Sequence, residues 1–191
     1  YLDLPIPAPM LVQINHDSLP EEIPEGETAL AYGSEDAIYP SLRRFTTTEE
    51  AFEKLKKYAH TLEIGVFDEW IANFDRQQGN ILYDGGDNFS FIDHENAIRE
   101  GLNSAEAESD NDILQNIHAL QNELDIRRSR KRADTEIIPE YQEIPFSVLS
   151  AKTLPTPYLD DDQVVAVVNF LQERIEHLSE LLRLRLNPDQ Q

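Results

Sequence analysis

Asn73-Phe74-Asp75-Arg76-Gln77-Gln78-Gly79-Asn80, then Ile81-Leu82-Tyr83, Asp84-Gly85-Gly86-Asp87, Asn88-Phe89-Ser90-Phe91-Ile92 and Asp93-His94, is the stretch whose reading decides the fold. Asn80–Tyr83 and Asn88–Ile92 are short runs of strand-forming residues. The Asp-Gly-Gly-Asp between them is turn chemistry, since glycine supplies the positive φ that tight hairpins need. Asp84 to Asn88 lacks the alternating ligands and closing Glu of a calcium loop, so a hairpin turn is the preferred reading. A hairpin brings its two ends together, so Asn80 and Asp93 should face the same end of it.

Outward from this hairpin the chain reads as mostly helical. Leu62 to Asn73 is expected to be a helix with Ile64, Phe67, Trp70 and Ile71 on its buried side. Before it, Thr47 and Glu50 form a capping-box pattern ahead of Phe52, Leu55, Tyr58 and Ala59. Met10 to Ile14 reads as a short strand after a proline-spaced start, Leu4-Pro5-Ile6-Pro7-Ala8-Pro9. Asn15 to Thr46, rich in Pro, Gly and Glu, is expected to be a long loop. Beyond the hairpin, Ala105 to Asp125 reads as one helix carrying Ile113, Leu114, Ile117, Leu120 and Leu124. The basic run Arg127–Arg132 reads as a solvated helix end, and Pro139 to Pro157 as loop with short elements. Asp160 and Gln163 signal a final helix, with Val164, Val167, Val168, Leu171, Ile175, Leu178 and Leu182 as its apolar stripe and Asn187-Pro188 as its stop. That stripe is expected to be core, with a dimer surface as the alternative.

Composition removes several function classes. The 191 residues carry a formal charge of −21, with acids outnumbering bases 37 to 16. Nucleic acids and anionic membranes both select clustered Lys and Arg, so neither is an expected partner. There is no cysteine, which excludes disulfides, zinc–thiolate sites and thiol nucleophiles and suits a reducing cytosol. No run of apolar residues is long enough to span a bilayer, and the first residues lack the features of a signal peptide. A cytoplasmic location is therefore expected, and Asn88-Phe89-Ser90, formally a glycosylation sequon, carries no weight.

Phosphoryl transfer from ATP needs an acid beside the attacking hydroxyl, and oxygen ligands that hold Mg2+ against the phosphates. Asp75 can be the acid, and Asn80 and Asp93 can be the ligands. The same residues carry a resemblance. Asn-x-Asp-Arg at 73–76, an Asn five residues after the Asp, and a hairpin closing on Ile92-Asp93-His94 are similar to the HipA-like kinases. The match is more distant to phosphatidylinositol kinases and the wider protein-kinase fold. Phe67-Asp68-Glu69-Trp70-Ile71-Ala72 resembles the helix leading into that loop. The proline-spaced start with Leu11-Val12-Gln13-Ile14 resembles the end of the small lobe and the interlobe hinge.

The resemblance implies an α+β, predominantly helical, protein-kinase-like large (C-terminal) lobe with a small catalytic hairpin. Residues 1–17 would be a remnant of the small lobe and hinge, and 18–191 the large lobe, with catalytic loop and metal hairpin at 68–95. It implies Asp75 as catalytic base, Asn80 and Asp93 as Mg2+ ligands, and Gln13 and Ile14 as adenine-binding hinge residues. His94 is read as a packing or hydrogen-bonding residue outside the site. The implied activity is transfer of the ATP γ-phosphoryl group to a hydroxyl, of Ser or Thr in a protein. The family commonly carries His where this chain has Gln77. No Gly-rich phosphate loop, and no ATP-anchoring Lys with its Glu partner, is found in the chain. The expectation is thus an incomplete kinase that binds ATP poorly on its own. The rival is a non-catalytic pseudokinase-type binding or regulatory module.

Overall fold

Met10 to Ile14 does form a strand, and it finds a partner where the sequence suggests only loop. In the computed structural model, which describes residues 2–44, 48–99, 101–106, 111, 113–115, 121–148 and 160–186, β1 (Pro9–Asn15) pairs antiparallel with β2 (Thr28–Ser34). The expected loop from Asn15 to Thr46 is corrected accordingly. Pro20, Pro24 and Gly26 fall in the connection, while Thr28-Ala29-Leu30-Ala31-Tyr32 pairs back along β1. The division drawn after residue 17 falls inside that connection, between two strands that share one ladder.

A 3-10 turn at Leu42–Arg44 leads to α1 (Thr48–Lys57), which buries Ala51 and Leu55. Thr47, the expected cap, lies outside the described residues. α2 (Thr61–Trp70) follows and buries Ile64, Val66 and Trp70 together with two consecutive acids, Asp68 and Glu69. It stops at Trp70 instead of reaching Asn73. The Asn73 amide donates to Asp68 O at 2.8 Å and the Ala72 amide to Glu69 O at 3.3 Å, a Schellman closure of the helix end. Ala72 occupies its left-handed position at φ +50°, where a residue with a Cβ gives up about 1–2 kcal/mol.

The hairpin forms as expected. β3 (Ile81–Tyr83) and β4 (Phe89–Phe91) are antiparallel, with Ile81 opposite Phe91 and Tyr83 opposite Phe89. Gly85 takes φ +82° in the turn. Asp84 accepts from the Gly86 and Asn88 amides at 2.7 and 3.2 Å and from Asn88 Nδ2 at 2.6 Å. The hairpin is flanked on both edges. Pro5 O accepts from the Phe91 amide and Pro40 O from the Tyr83 amide, each at 3.0 Å, and Ser41 bridges to Leu82.

In the C-terminal half two helix boundaries are corrected. Asn122 is extended (φ −77°, ψ 165°) and its side chain accepts from the Asp125 amide, so α3 (Glu123–Arg132) starts there and no single helix spans Ala105 to Asp125. Ile117 and Leu120 lie outside the described residues. α3 then continues through a π turn (Ala133–Ile137) into α4 (Ile138–Gln142). Pro139 therefore sits within helix and not in a loop. The widened π turn just before it absorbs the proline, in the first turn of α4, where a missing N–H costs least. The basic run is the last part of α3, with Arg127 paired to Glu123 and Arg128 to Asp125.

α5 (Asp161–Arg185) opens with the expected capping box, Asp160 and Gln163 each bonding the other's backbone amide. Its buried face runs from Arg174 through Ile175, Leu178, Leu181 and Leu182, while Val164, Val167 and Val168 nearer its start are half-buried. The expected stop at Asn187-Pro188 lies outside the described residues. α5 packs on α2, where the Trp70 indole donates to Leu171 O at 2.9 Å. Two small antiparallel sheets and these helices make an α+β fold. Among the described residues no helix is long and apolar enough to cross a membrane.

Gly65 shows how tightly α2 is held. A Cβ there would stand 2.7 Å from Leu114 Cδ2 and 2.9 Å from its Cγ, and Leu114 is fully buried. Overpacking of about 1–3 kcal/mol outweighs the roughly 1 kcal/mol that Ala gains over Gly in a helix. Gly65→Ala is expected to lower the urea midpoint; a higher midpoint would show that Leu114 can give way.

Candidate active site

The Schellman closure aims the chain back across α2, and this sets the site. Asn73 Nδ2 donates to Asp68 Oδ1 at 2.9 Å, and Asn73 Oδ1 accepts from the Asp75 amide at 3.3 Å. Three residues beyond Asn73, Arg76 turns inward and is almost fully buried. Its Nε and Nη2 grip the two oxygens of Asp68 at 2.8 and 3.0 Å, a bidentate pair. Its Nη1 donates to Asn80 O at 2.9 Å and to Ile92 O at 2.7 Å. Those two carbonyls lie at the start and the end of the hairpin, and the Ile92 amide donates to Asn80 O at 3.1 Å. One guanidinium thus joins α2, the loop and both ends of the hairpin.

Of the residues read from the sequence, Asp75 and Asn80 are brought into direct contact. Asn80 Nδ2 donates to Asp75 O at 2.8 Å, which leaves its Oδ1 facing no protein donor among the described residues. The Asp75 carboxylate is half-buried. It accepts from Gln77 Nε2 at 3.2 Å and lies 3.5 Å from Asn96 Nδ2. Asp93 follows β4, so the ladder places it one residue beyond Ile92, the neighbour of Asn80. It is exposed, with φ +64°, a left-handed conformation that Asp tolerates better than most residues. Gln13 and Ile14 stand on β1, opposite Leu30 and Ala29, and Gln13 Nε2 donates to Thr28 Oγ1. The segment around Pro5 links that ribbon to β4.

Three supporting residues were not legible as part of the site. Asp68 is marked in sequence only as an acid between Phe67 and Trp70 on an apolar helix. Asn96 carries no local signal. His94 has the hydrogen-bonding role expected of it, but inside the cluster: Arg76 Nη2 lies 2.7 Å from its Nε2. Arg76 can only donate, so Nε2 must accept, and the ring is neutral with its proton on Nδ1. Its edge contacts Phe67, with ring centroids 5.8 Å apart. Burial, and then the neighbouring Arg76 charge, push its pKa from 6.5 down to about 4, with Asp68 opposing.

The model of the HipA-like kinase family matches residues 1–177, and the chain belongs to that family. That class implies ATP as the co-substrate. Comparison with curated proteins and with solved structures gave no match.

His94 yields a signed pH prediction. Its folded pKa lies below its unfolded value, so its contribution is complete above pH 6.5 and is lost as pH falls toward about 4. A shift of that size corresponds to roughly 3 kcal/mol. Denaturation at a series of pH values should show wild type losing more stability than His94→Gln across that window. Parallel curves would mean that His94 is not held neutral.

Proposed function

We propose that this protein is an ATP-dependent phosphotransferase that moves the γ-phosphoryl group to a hydroxyl, of Ser or Thr in a protein substrate. The observation that carries the reading is the junction of Asp75 with Asn80 beneath the end of the hairpin that also bears Asp93. Membership of the HipA-like kinase family supports it.

In this reading Asp75 accepts the proton of the attacking hydroxyl. Its backbone carbonyl is tied to Asn80 and its amide to Asn73, so the loop is held before substrate arrives. Asn80 Oδ1 and the Asp93 carboxylate are hard oxygen donors of the kind Mg2+ takes. Among the described residues no cluster of three or more His, Asp or Glu could cage a metal unaided. Two protein oxygens would therefore share the ion with phosphate oxygens and water, as is usual for Mg2+ in kinases. Bound there, Mg2+ would neutralise charge developing on the phosphates. Gln13 and Ile14 on β1 are the proposed adenine contacts.

The test is Mg-ATP turnover by the complete gene product beside Asp75→Ala. Loss of a positioned general base costs about 10²–10⁴-fold in rate, so turnover should fall at least a hundredfold with Mg-ATP affinity kept. Equal turnover would remove Asp75 from the chemistry. Wild type that binds Mg-ATP but never turns it over would favour a non-catalytic regulatory module. Asp93→Ala should abolish the Mg2+ dependence of nucleotide binding while the variant remains folded; retained dependence would place the metal elsewhere.

A further inference from the structure

We propose that Arg43 contacts the γ-phosphate of the bound nucleotide and is held in position by Gln77; this rests on the kinase reading above. Positive charge is scarce in this loop and hairpin. The segment from Asp75 to Glu95 contains Asp75, Asp84, Asp87, Asp93 and Glu95, and its one Lys or Arg is Arg76. A guanidinium has five N–H donors, and Arg76 has spent all of them on Asp68, on the Asn80 and Ile92 carbonyls and on His94. Buried and fully engaged, it has nothing to offer a phosphate.

Arg43 reaches the same loop from a distant part of the chain. It lies on the 3-10 turn Leu42–Arg44, which is fastened to the hairpin through the Ser41–Leu82 bridge and the buried Leu42. Its Nη2 donates to Gln77 Oε1. With its oxygen so engaged, Gln77 turns its Nε2 toward Asp75 Oδ1, at 3.2 Å. The guanidinium also lies over Gly79, where a Cβ would be 3.6 Å from both Cζ and Nη2. It therefore covers the loop from Gln77 to Gly79, between the proposed base at Asp75 and the proposed metal ligand Asn80 in the chain.

The side chain is exposed, and Gln77 takes only one of its donors. Asp75 must stand where the acceptor hydroxyl meets the γ-phosphoryl group, and one amide side chain separates Arg43 from it. A cation in that place can follow the charge moving onto the transferring group. Gln77 is then a positioning residue, orienting Arg43 and Asp75 together.

The experiment measures Mg-ATP, Mg-ADP and adenosine binding to the complete gene product by calorimetry, for wild type, Arg43→Ala and Arg43→Lys. A charge-assisted hydrogen bond of this kind is worth about tenfold or more in affinity. Arg43→Ala should weaken ATP by at least that factor and leave ADP and adenosine within about twofold, and Arg43→Lys should recover part of the loss. Unchanged ATP affinity, or an equal loss for all three ligands, would overturn the assignment of Arg43 and leave the kinase reading standing. Wild type that binds no Mg-ATP would overturn both.

Discussion

Arg76 and Asp68 form an ion pair with both side chains wholly removed from water, and the rest of the site depends on it. A buried charge costs several kcal/mol to desolvate, so the pair persists only if every remaining hydrogen-bonding position is filled. Asp68 fills its own with Asn73; Arg76 fills its own with two hairpin carbonyls and His94. The electrostatic demand of one pair therefore fixes where the helix ends, how the loop turns and how the hairpin closes. Asp75, between Asn73 and Arg76, is carried into place by neighbours that cannot move without exposing or orphaning a charge.

Glu69, the next residue, organises an adjoining side of α2 by the same logic. Its carboxylate meets Arg174 at 3.3 Å and Arg185 at 3.0 Å, both from α5. Arg174 Nε also donates to Glu69 O at 2.6 Å, and its Nη1 donates to Ser104 O and Glu106 O at 3.1 and 2.9 Å. Two adjacent acids thus face three arginines. Arg76 assembles the loop and hairpin; Arg174 and Arg185 anchor the long C-terminal helix, and Arg174 also holds the segment that follows the hairpin. α2 is where packing and chemistry meet, and the close approach of Leu114 at Gly65 pins it further.

The hairpin and the order Asp75, Asn80, Asp93 were readable because their signals are local: turn glycines, alternating apolar residues and fixed spacing. The helix capped at Asp160 was readable for the same reason. What sequence did not show were long-range partnerships. β2 is defined by pairing with β1 across a connection of Pro, Gly and Glu, and its own residues are too small and mixed to declare a strand. Asn122 caps a new helix although the apolar spacing of the sequence runs on past it without interruption. Arg43 meets Gln77 only because the 3-10 turn packs beside β3. Arg174 did leave a trace, since it falls on the stripe of Val167, Leu171 and Leu178, where an unpaired charge could not be tolerated. The two consecutive acids of α2, between Phe67 and Trp70, were the matching clue.

The most direct measurement is a double-mutant cycle on the buried pair, using Asp68→Asn, Arg76→Met and the two together, read by urea denaturation. Removing one partner of a buried pair typically costs about 3–5 kcal/mol because the other charge is left uncompensated. If the pair organises the site as described, the double variant should be more stable than the sum of the single losses predicts, by about 1–3 kcal/mol. Strictly additive losses would contradict the account, because they would mean that Asp68 and Arg76 are held by the fold independently of each other.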